Sequence, residues 1–276
     1  MLYHTDKYLL YMTTLEATQK LNRNTMKQLL IKVPQVTLFF WVIKIMATTV
    51  GETAADYLSE TFKLGLTTIS YIMGGLLLLL LIIQFRTKKY TPAIYWAVVV
   101  FISVVGTLIS DNLVENLGVS LVTSIIIFGS ALTLIFICWY ASEKTLSVHS
   151  INTTKRELFY WAAILFTFSL GTSAGDFVAE STGLGYAYAA FMFAGIITLT
   201  FLAYYYLKLN TIWAFWIAYI LTRPLGASLG DLLSQPVSEG GIGLGTTVTS
   251  IIFLVIILGL VIYLTIKEKK QQSLPA

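Results

Sequence analysis

Long apolar runs separated by short polar breaks fill nearly the whole chain. Eight of them reach the length of about 20 residues that a helix needs to cross the hydrocarbon of a bilayer. They cover 36–55, 66–84, 93–111, 119–140, 158–176, 184–206, 212–231 and 245–266. The runs are too long for barrel strands and lack their strict alternation. The pattern predicts an all-α membrane protein with eight transmembrane helices. Two kinds of run are present. Gly74–Ile83, Ile125–Ile137 and Ile251–Ile262, in the even-numbered runs, are close to pure hydrocarbon. The odd-numbered runs carry the polar residues, and each is closed by an aspartate: Asp56, Asp111, Asp176 or Asp231.

Those aspartates belong to a fourfold repeat. A tryptophan is followed by a glycine ten residues later and an aspartate five after that: Trp41–Gly51–Asp56, Trp96–Gly106–Asp111, Trp161–Gly171–Asp176 and Trp216–Gly226–Asp231. Each repeat holds two spans, so the chain returns to the same side and all four repeats point the same way, about an axis along the membrane normal. Asp56 to Asp111 and Asp176 to Asp231 are each 55 residues, whereas Asp111 to Asp176 is 65, because the loop around Ser142–Glu157 is longer. Two duplicated halves follow. A segment 1–33 precedes the first half, 34–141; a linker, 142–157, joins it to the second half, 158–267; a tail, 268–276, ends the chain.

Counting back from each aspartate, offsets of three, four, seven and eight share one helical face. They hold Thr53, Glu52, Thr49 and Thr48; Leu108, Thr107, Val104 and Ser103; Ser173, Thr172, Ser169 and Phe168; and Ser228, Ala227, Pro224 and Arg223. Such a face avoids lipid. We therefore expect four inner, polar first-helices enclosed by four outer, apolar second-helices. The glycines are expected to let a neighbouring helix approach closely. The tryptophans, near the opposite ends of the same helices, read as interfacial anchors rather than as stacking platforms for a substrate.

Composition supports the membrane assignment: 57% of residues are hydrophobic, 12% are charged, and the mean hydropathy is +0.78. A soluble domain of this length cannot hide so much apolar surface. Cys138 is the only cysteine, so no internal disulfide forms, and His4 and His149 fall outside the spans, which argues against a histidine-based metal site. Residues 1–30 are polar and basic without the apolar stretch of a signal peptide, and Met26 is a second candidate start. Lys7, Lys20, Arg23, Lys27 and Lys32, then Arg86, Lys88 and Lys89, then Lys144, Lys155 and Arg156, then Lys208, then Lys267, Lys269 and Lys270 all belong to one side. The opposite loops hold only Lys63. This bias predicts that both termini are cytoplasmic. It also accounts for the net charge of +4 without nucleic-acid binding.

The candidate chemistry is acidic. At 1.5 Å per residue each aspartate lies about 22 Å from its tryptophan, toward the extracytoplasmic side. Glu52, Asp56, Asp111, Asp176 and Asp231 are candidates for cation binding or proton coupling, with Thr48, Thr49, Thr107, Thr172 and Ser228 in support. Acids inside spans are expensive and are usually functional. Oxygen-only surroundings would suit Mg²⁺, Ca²⁺ or Mn²⁺ better than Zn²⁺ or Cu⁺, although the sequence does not name a metal and implies no cofactor. The blander reading is that the acids cap helix ends in water. That reading weighs more for Glu60, Glu115 and Glu180, each four residues past an aspartate. Lys44 and Arg223 lie deeper and are expected to neutralise acids on neighbouring first-helices. Pro224 is expected to break or kink its span, and the Gly240–Gly245 stretch to be irregular.

The stretches Lys44–Asp56 and Thr222–Asp231, within a two-span unit repeated four times, resemble the bacterial membrane-protein family named for a fourfold repeat of unknown function. The resemblance covers 33–267. It implies an integral protein of the bacterial inner membrane and supplies no activity. The residues themselves favour a transporter of a cation, with a divalent ion and coupling to protons among the forms it could take. The partners implied are the lipid bilayer and that ion; the oligomeric state is left open. A structural or sensory membrane protein acting through a partner is the alternative. A membrane enzyme acting on a lipid is disfavoured, because no Ser/His/Asp set, zinc motif or nucleotide loop is present.

Overall fold

The computed structural model of the protein describes residues 31–62 and 64–272. Lys7, Lys20, Arg23, Lys27 and Met26 lie outside the described residues, as does Lys63. Eight long helices follow the eight apolar runs: α1 (Leu38–Phe62), α2 (Leu66–Arg86), α3 (Pro92–Asp111), α4 (Leu121–Glu143), α5 (Thr154–Asp176), α6 (Gly185–Tyr206), α7 (Thr211–Ser234) and α8 (Thr246–Gln272). All eight are long and apolar enough to span a membrane, and there is no strand among the described residues. The starts are set by ordinary local chemistry. Ser120, Thr153 and Asn210 accept from the first free backbone N–H groups of α4, α5 and α7, and Pro92 opens α3 where its missing N–H costs nothing.

The odd helices form the inside. In their most apolar stretches more than half of each is buried, against less than a quarter in each even helix. The inner helices close a ring in which α1 packs on α3, α3 on α5, α5 on α7 and α7 on α1. Each outer helix packs chiefly on the inner helix of the next repeat: α2 on α3, α4 on α5, α6 on α7, and α8 back on α1. The two helices of one repeat therefore share little surface, and every repeat is held by its neighbours.

The repeated glycines set the spacing of the ring. A Cβ on Gly51 would overlap Ser103, one on Gly106 would come within 2.5 Å of the Phe168 Cβ, one on Gly171 would overlap Arg223, and one on Gly226 would overlap Thr48. Each partner lies eight residues before its own aspartate, so one contact recurs at all four seams. Small residues at such crossings let backbones approach and gain dispersion contacts, the main attraction between helices in lipid. Hydroxyl pairs add to it near the aspartate end: Ser110 with Ser173 across α3 and α5, and Thr53 with Ser250 across α1 and α8, each 2.7 Å apart.

One expectation is corrected here. Pro224 does not break α7, which runs unbroken from Thr211 to Ser234. The Gly240–Gly245 stretch is irregular, as expected, and it caps α7. The N–H groups of Ile242, Leu244, Gly245 and Gly243 donate to the carbonyls of Leu232, Leu233, Ser234 and Gln235, which α7 leaves without helical partners. The fold-back needs positive φ at Gly240, Gly243 and Gly245 (89°, 82° and 78°), a region open to glycine.

Candidate functional site

Because the inner helices share one register, residues at equal offsets from the aspartates meet in layers down the axis. Sixteen residues before the aspartates stand Phe40, Tyr95, Tyr160 and Phe215, all buried. Tyr95 and Tyr160 share a 2.5 Å hydrogen bond, and the Phe40 and Phe215 rings lie 6.1 Å apart. Four residues nearer the aspartates come Lys44, Val99, Ile164 and Tyr219, all fully buried. Then follow Thr48, Ser103, Phe168 and Arg223; then Glu52, Thr107, Thr172 and Ala227; and last the aspartates themselves. Thr48, Ser103, Phe168 and Arg223 are also buried, whereas Asp56, Asp111 and Asp176 are partly exposed at the open end of the bundle.

Arg223 organises the polar layers. Its Nη2 donates to Glu52 Oε2 at 2.8 Å, to Thr172 Oγ1 at 2.7 Å and to Thr107 Oγ1, and its Nη1 donates to the Thr48 carbonyl at 3.4 Å. All four repeats thus contribute to one guanidinium. Arg223 is fully buried and Glu52 nearly so, as a charge-assisted pair in a dry interior requires. The expected pairing of Arg223 with an acid on a neighbouring helix is met by Glu52. Above it, carboxylate oxygens of Glu52, Asp176 and Asp231 all lie within 4.8 Å of one another. Three oxygens at that limit surround a point about 2.8 Å from each, and closer spacing brings it to the Ca²⁺–oxygen distance of about 2.3–2.6 Å, so one cation between them could touch all three. Asp111 is within electrostatic reach of Glu52, Asp176 and Asp56 at the same end.

Other expected site residues play different parts. Among the described residues Lys44 pairs with no acid, contrary to the sequence reading. Its Nζ has no hydrogen-bond partner and sits 4.2 Å from the Phe168 ring centre and 4.3 Å from that of Tyr219. The reason is height. Eight residues put Lys44 about 12 Å below Glu52, in a layer whose other members carry no carboxylate. Thr49 donates to the Ile45 carbonyl of its own helix at 3.1 Å, and the Ser228 hydroxyl is buried without a partner; neither bonds to Arg223 or Glu52. Glu115 and Glu180 are exposed and lie in single π-helical turns, Asn112–Asn116 and Phe177–Ser181, that begin directly after the aspartates. The wider i→i+5 turn moves them off the aspartate face.

The tryptophans are also corrected. Trp96, Trp161 and Trp216 are buried inside the bundle rather than placed in a lipid-facing belt, and Trp41 is partly buried. Their ring contacts run through Tyr95, Tyr160, Phe215 and Tyr219, so this end is closed by aromatic packing. Polar contacts reinforce it. Trp96 Nε1 donates to the Tyr90 hydroxyl at 3.1 Å, and burial pushes the Tyr90 phenol above its ordinary range.

A second buried ion pair at this end was not singled out in the sequence. Lys32 Nζ donates to Glu157 Oε2 at 2.7 Å and to the Phe85 carbonyl at 3.1 Å, while Gln84 donates to Glu157 Oε1 at 2.8 Å. It fastens the segment before α1 to the end of α2 and the start of α5. A legible hint was Glu157, the acid that follows Lys155 and Arg156 on the basic side.

Residues 39–90, 94–145, 159–210 and 214–270 match the family described as Repeat of Unknown Function (DUF347). The chain belongs to this family. The four matched segments coincide with the four pairs of helices, so the DUF347 unit is one inner and one outer helix that packs mainly against other units. No curated protein and no solved structure matches the chain significantly.

Proposed function

We propose that this DUF347 protein is a membrane transporter of a cation. The carboxylates of Glu52, Asp176 and Asp231 form the binding seat, and Arg223 is a tethered cation that neutralises Glu52 when the seat is empty. One observation carries the reading: three carboxylates from three repeats converge within 4.8 Å beside a fully buried guanidinium. Between the tryptophan and aspartate layers the inner helices bring together five acids, Glu52, Asp56, Asp111, Asp176 and Asp231, and two bases, Lys44 and Arg223. An excess of three carboxyl groups near a membrane interior calls for bound cations or for protons. The all-oxygen donor set favours a hard divalent ion, Mg²⁺, Ca²⁺ or Mn²⁺.

In this reading the protein sits in the bacterial inner membrane with both termini cytoplasmic. The aromatic end then faces the cytoplasm and the acidic end faces outward. The basis is the Lys and Arg content of the loops at the aromatic end. An arriving cation competes with Arg223 for Glu52, and exchange against protons keeps the charge balanced. Purified protein in proteoliposomes should take up one of these ions faster than empty vesicles, and Asp176→Asn should abolish the difference. Equal flux with and without protein across the three divalent ions, K⁺ and Na⁺ would sink the proposal.

A further inference from the structure

A cavity of about 600 Å³ opens on the lipid-facing side of the seam between α1 and α7, near the aromatic end. Its walls include Trp41 and Ile45 from α1, Ile197 and Phe201 from α6, and Ala218 and Thr222 from α7. The size falls within the range of small-molecule sites.

The fourfold pattern shows why this seam is open. The 65-residue spacing between the second and third repeats relates Trp139 and Phe136 of α4 to Tyr204 and Phe201 of α6. At its own seam α4 packs these two rings on Trp216, with centroids 5.8 and 4.8 Å away, and Trp139 is fully buried. Gln84 of α2, 55 residues before Trp139, is buried as well. Tyr204 and Phe201 are instead 42% and 63% exposed. Trp41, the tryptophan that faces them, is the one of the four that is not fully buried. The position that Gln84 fills in the first repeat and Trp139 in the second is here a space open to the bilayer.

The lining grades from polar to apolar. Ser147, His149 and Thr211 lie at the ends of the spans, and His149 is exposed. Ala218 and Thr222 lie seven and eleven residues into α7, about 10 and 16 Å deeper. Three threonine hydroxyls along the walls are already committed to their own helices. Thr198 donates to the Ala194 carbonyl, Thr200 to Ile196 and Thr222 to Tyr219, at 2.7–2.8 Å. The deep part therefore offers a ligand carbon and aromatic surface, and free polar groups stand only at the mouth.

We propose that this cavity holds one acyl chain of a bilayer phospholipid, with its head group at the level of His149. The bilayer is the phase the cavity opens into, and a phospholipid has the same polar-to-apolar gradient. Its deep wall is the α1–α7 seam that also carries the Glu52–Arg223 pair, so the chain wedges a seam whose outer cover is incomplete. The proposal is independent of any transport activity.

The test is native mass spectrometry of the full-length protein, released from nanodiscs of phosphatidylglycerol and exchanged into detergent. Wild type should retain about one phospholipid per chain, as one drug-sized cavity allows. Ala218→Trp, or Ile197→Trp from the opposite wall, should fill the space and remove most of that lipid while the fold is kept. Wild type without retained lipid overturns the proposal, and so does undiminished lipid in a folded variant. If neither variant folds, quenching of Trp41 fluorescence by acyl-brominated phosphatidylglycerol decides the matter, measured as the signal lost in Trp41→Phe. Strong quenching supports the proposal, and no quenching overturns it.

Discussion

Removing the Glu52 carboxylate strands a guanidinium in a dry layer. Arg223 would keep Thr107, Thr172 and the Thr48 carbonyl but lose its bonded counter-charge. Breaking one partner of a buried pair typically costs about 3–5 kcal/mol. Glu52→Gln should therefore lower the unfolding midpoint in detergent strongly, and an unchanged midpoint would mean that another acid takes Arg223 over. Lys44 predicts the opposite sign. Its ammonium has two aromatic faces but no hydrogen-bond partner, and cation–π contacts return about 0.5–2 kcal/mol against a desolvation cost of several. Lys44→Met should melt no earlier than wild type. A large loss of stability would reveal a partner for Lys44 in the folded protein. Both residues were recognisable in the sequence as charges too deep to be idle. Their partners were not, because a neighbour across helices depends on relative height, which one helix cannot specify.

At the scale of elements, the seam glycines and the ends of the helices carry the fold. Gly106→Ala would drive a methyl group into the Phe168 side chain and the backbone of α5, whereas Gly195 has open space around it. Overpacking of this kind costs about 1–3 kcal/mol. Gly106→Ala should thus destabilise the protein and Gly195→Ala should not, as read by thermal unfolding of the pair under one condition. The Lys32–Glu157 pair ties three elements at the aromatic end, so Lys32→Met should leave Glu157 buried with only Gln84. Faster hydrogen exchange near residues 31–36 and at the start of α5, with the aspartate ends of α5 and α7 unchanged, is the expected outcome. Uniform exchange along the chain would show that the tie is not local. The seam glycines were legible as close-approach residues from their fixed spacing. The tryptophans were not legible as core, since a ring near a span end fits an interfacial belt equally well until neighbouring helices are seen to cover it.

For the whole molecule, the acid cluster makes a prediction that needs no transport assay. A ligand held only by the folded state raises stability by mass action, about 2.7 kcal/mol at a hundred times its dissociation constant. One of Mg²⁺, Ca²⁺ or Mn²⁺ should raise the melting temperature of wild type, and the double variant Asp176→Asn/Asp231→Asn should lose that rise. A rise that survives in the variant would place the ion elsewhere. What the sequence determined by itself was everything carried by period and length: eight spans, four parallel repeats, a polar inner set and an apolar outer set, and glycines at the crossings. These are local or repeated properties, and any chain with this pattern must bury the same faces. The tertiary structure alone decided which charges meet. Glu52 binds Arg223 because closing the ring brings α7 against α1, while Lys44, on the same helix as Glu52, falls in a layer of aromatic and aliphatic residues. It likewise decided that Asp176 and Asp231 converge with Glu52, that Pro224 stays within an unbroken helix, and that a cavity of about 600 Å³ opens at the seam between α1 and α7. Those outcomes depend on rotation and height between helices far apart in the chain, which hydrophobic periodicity leaves unspecified.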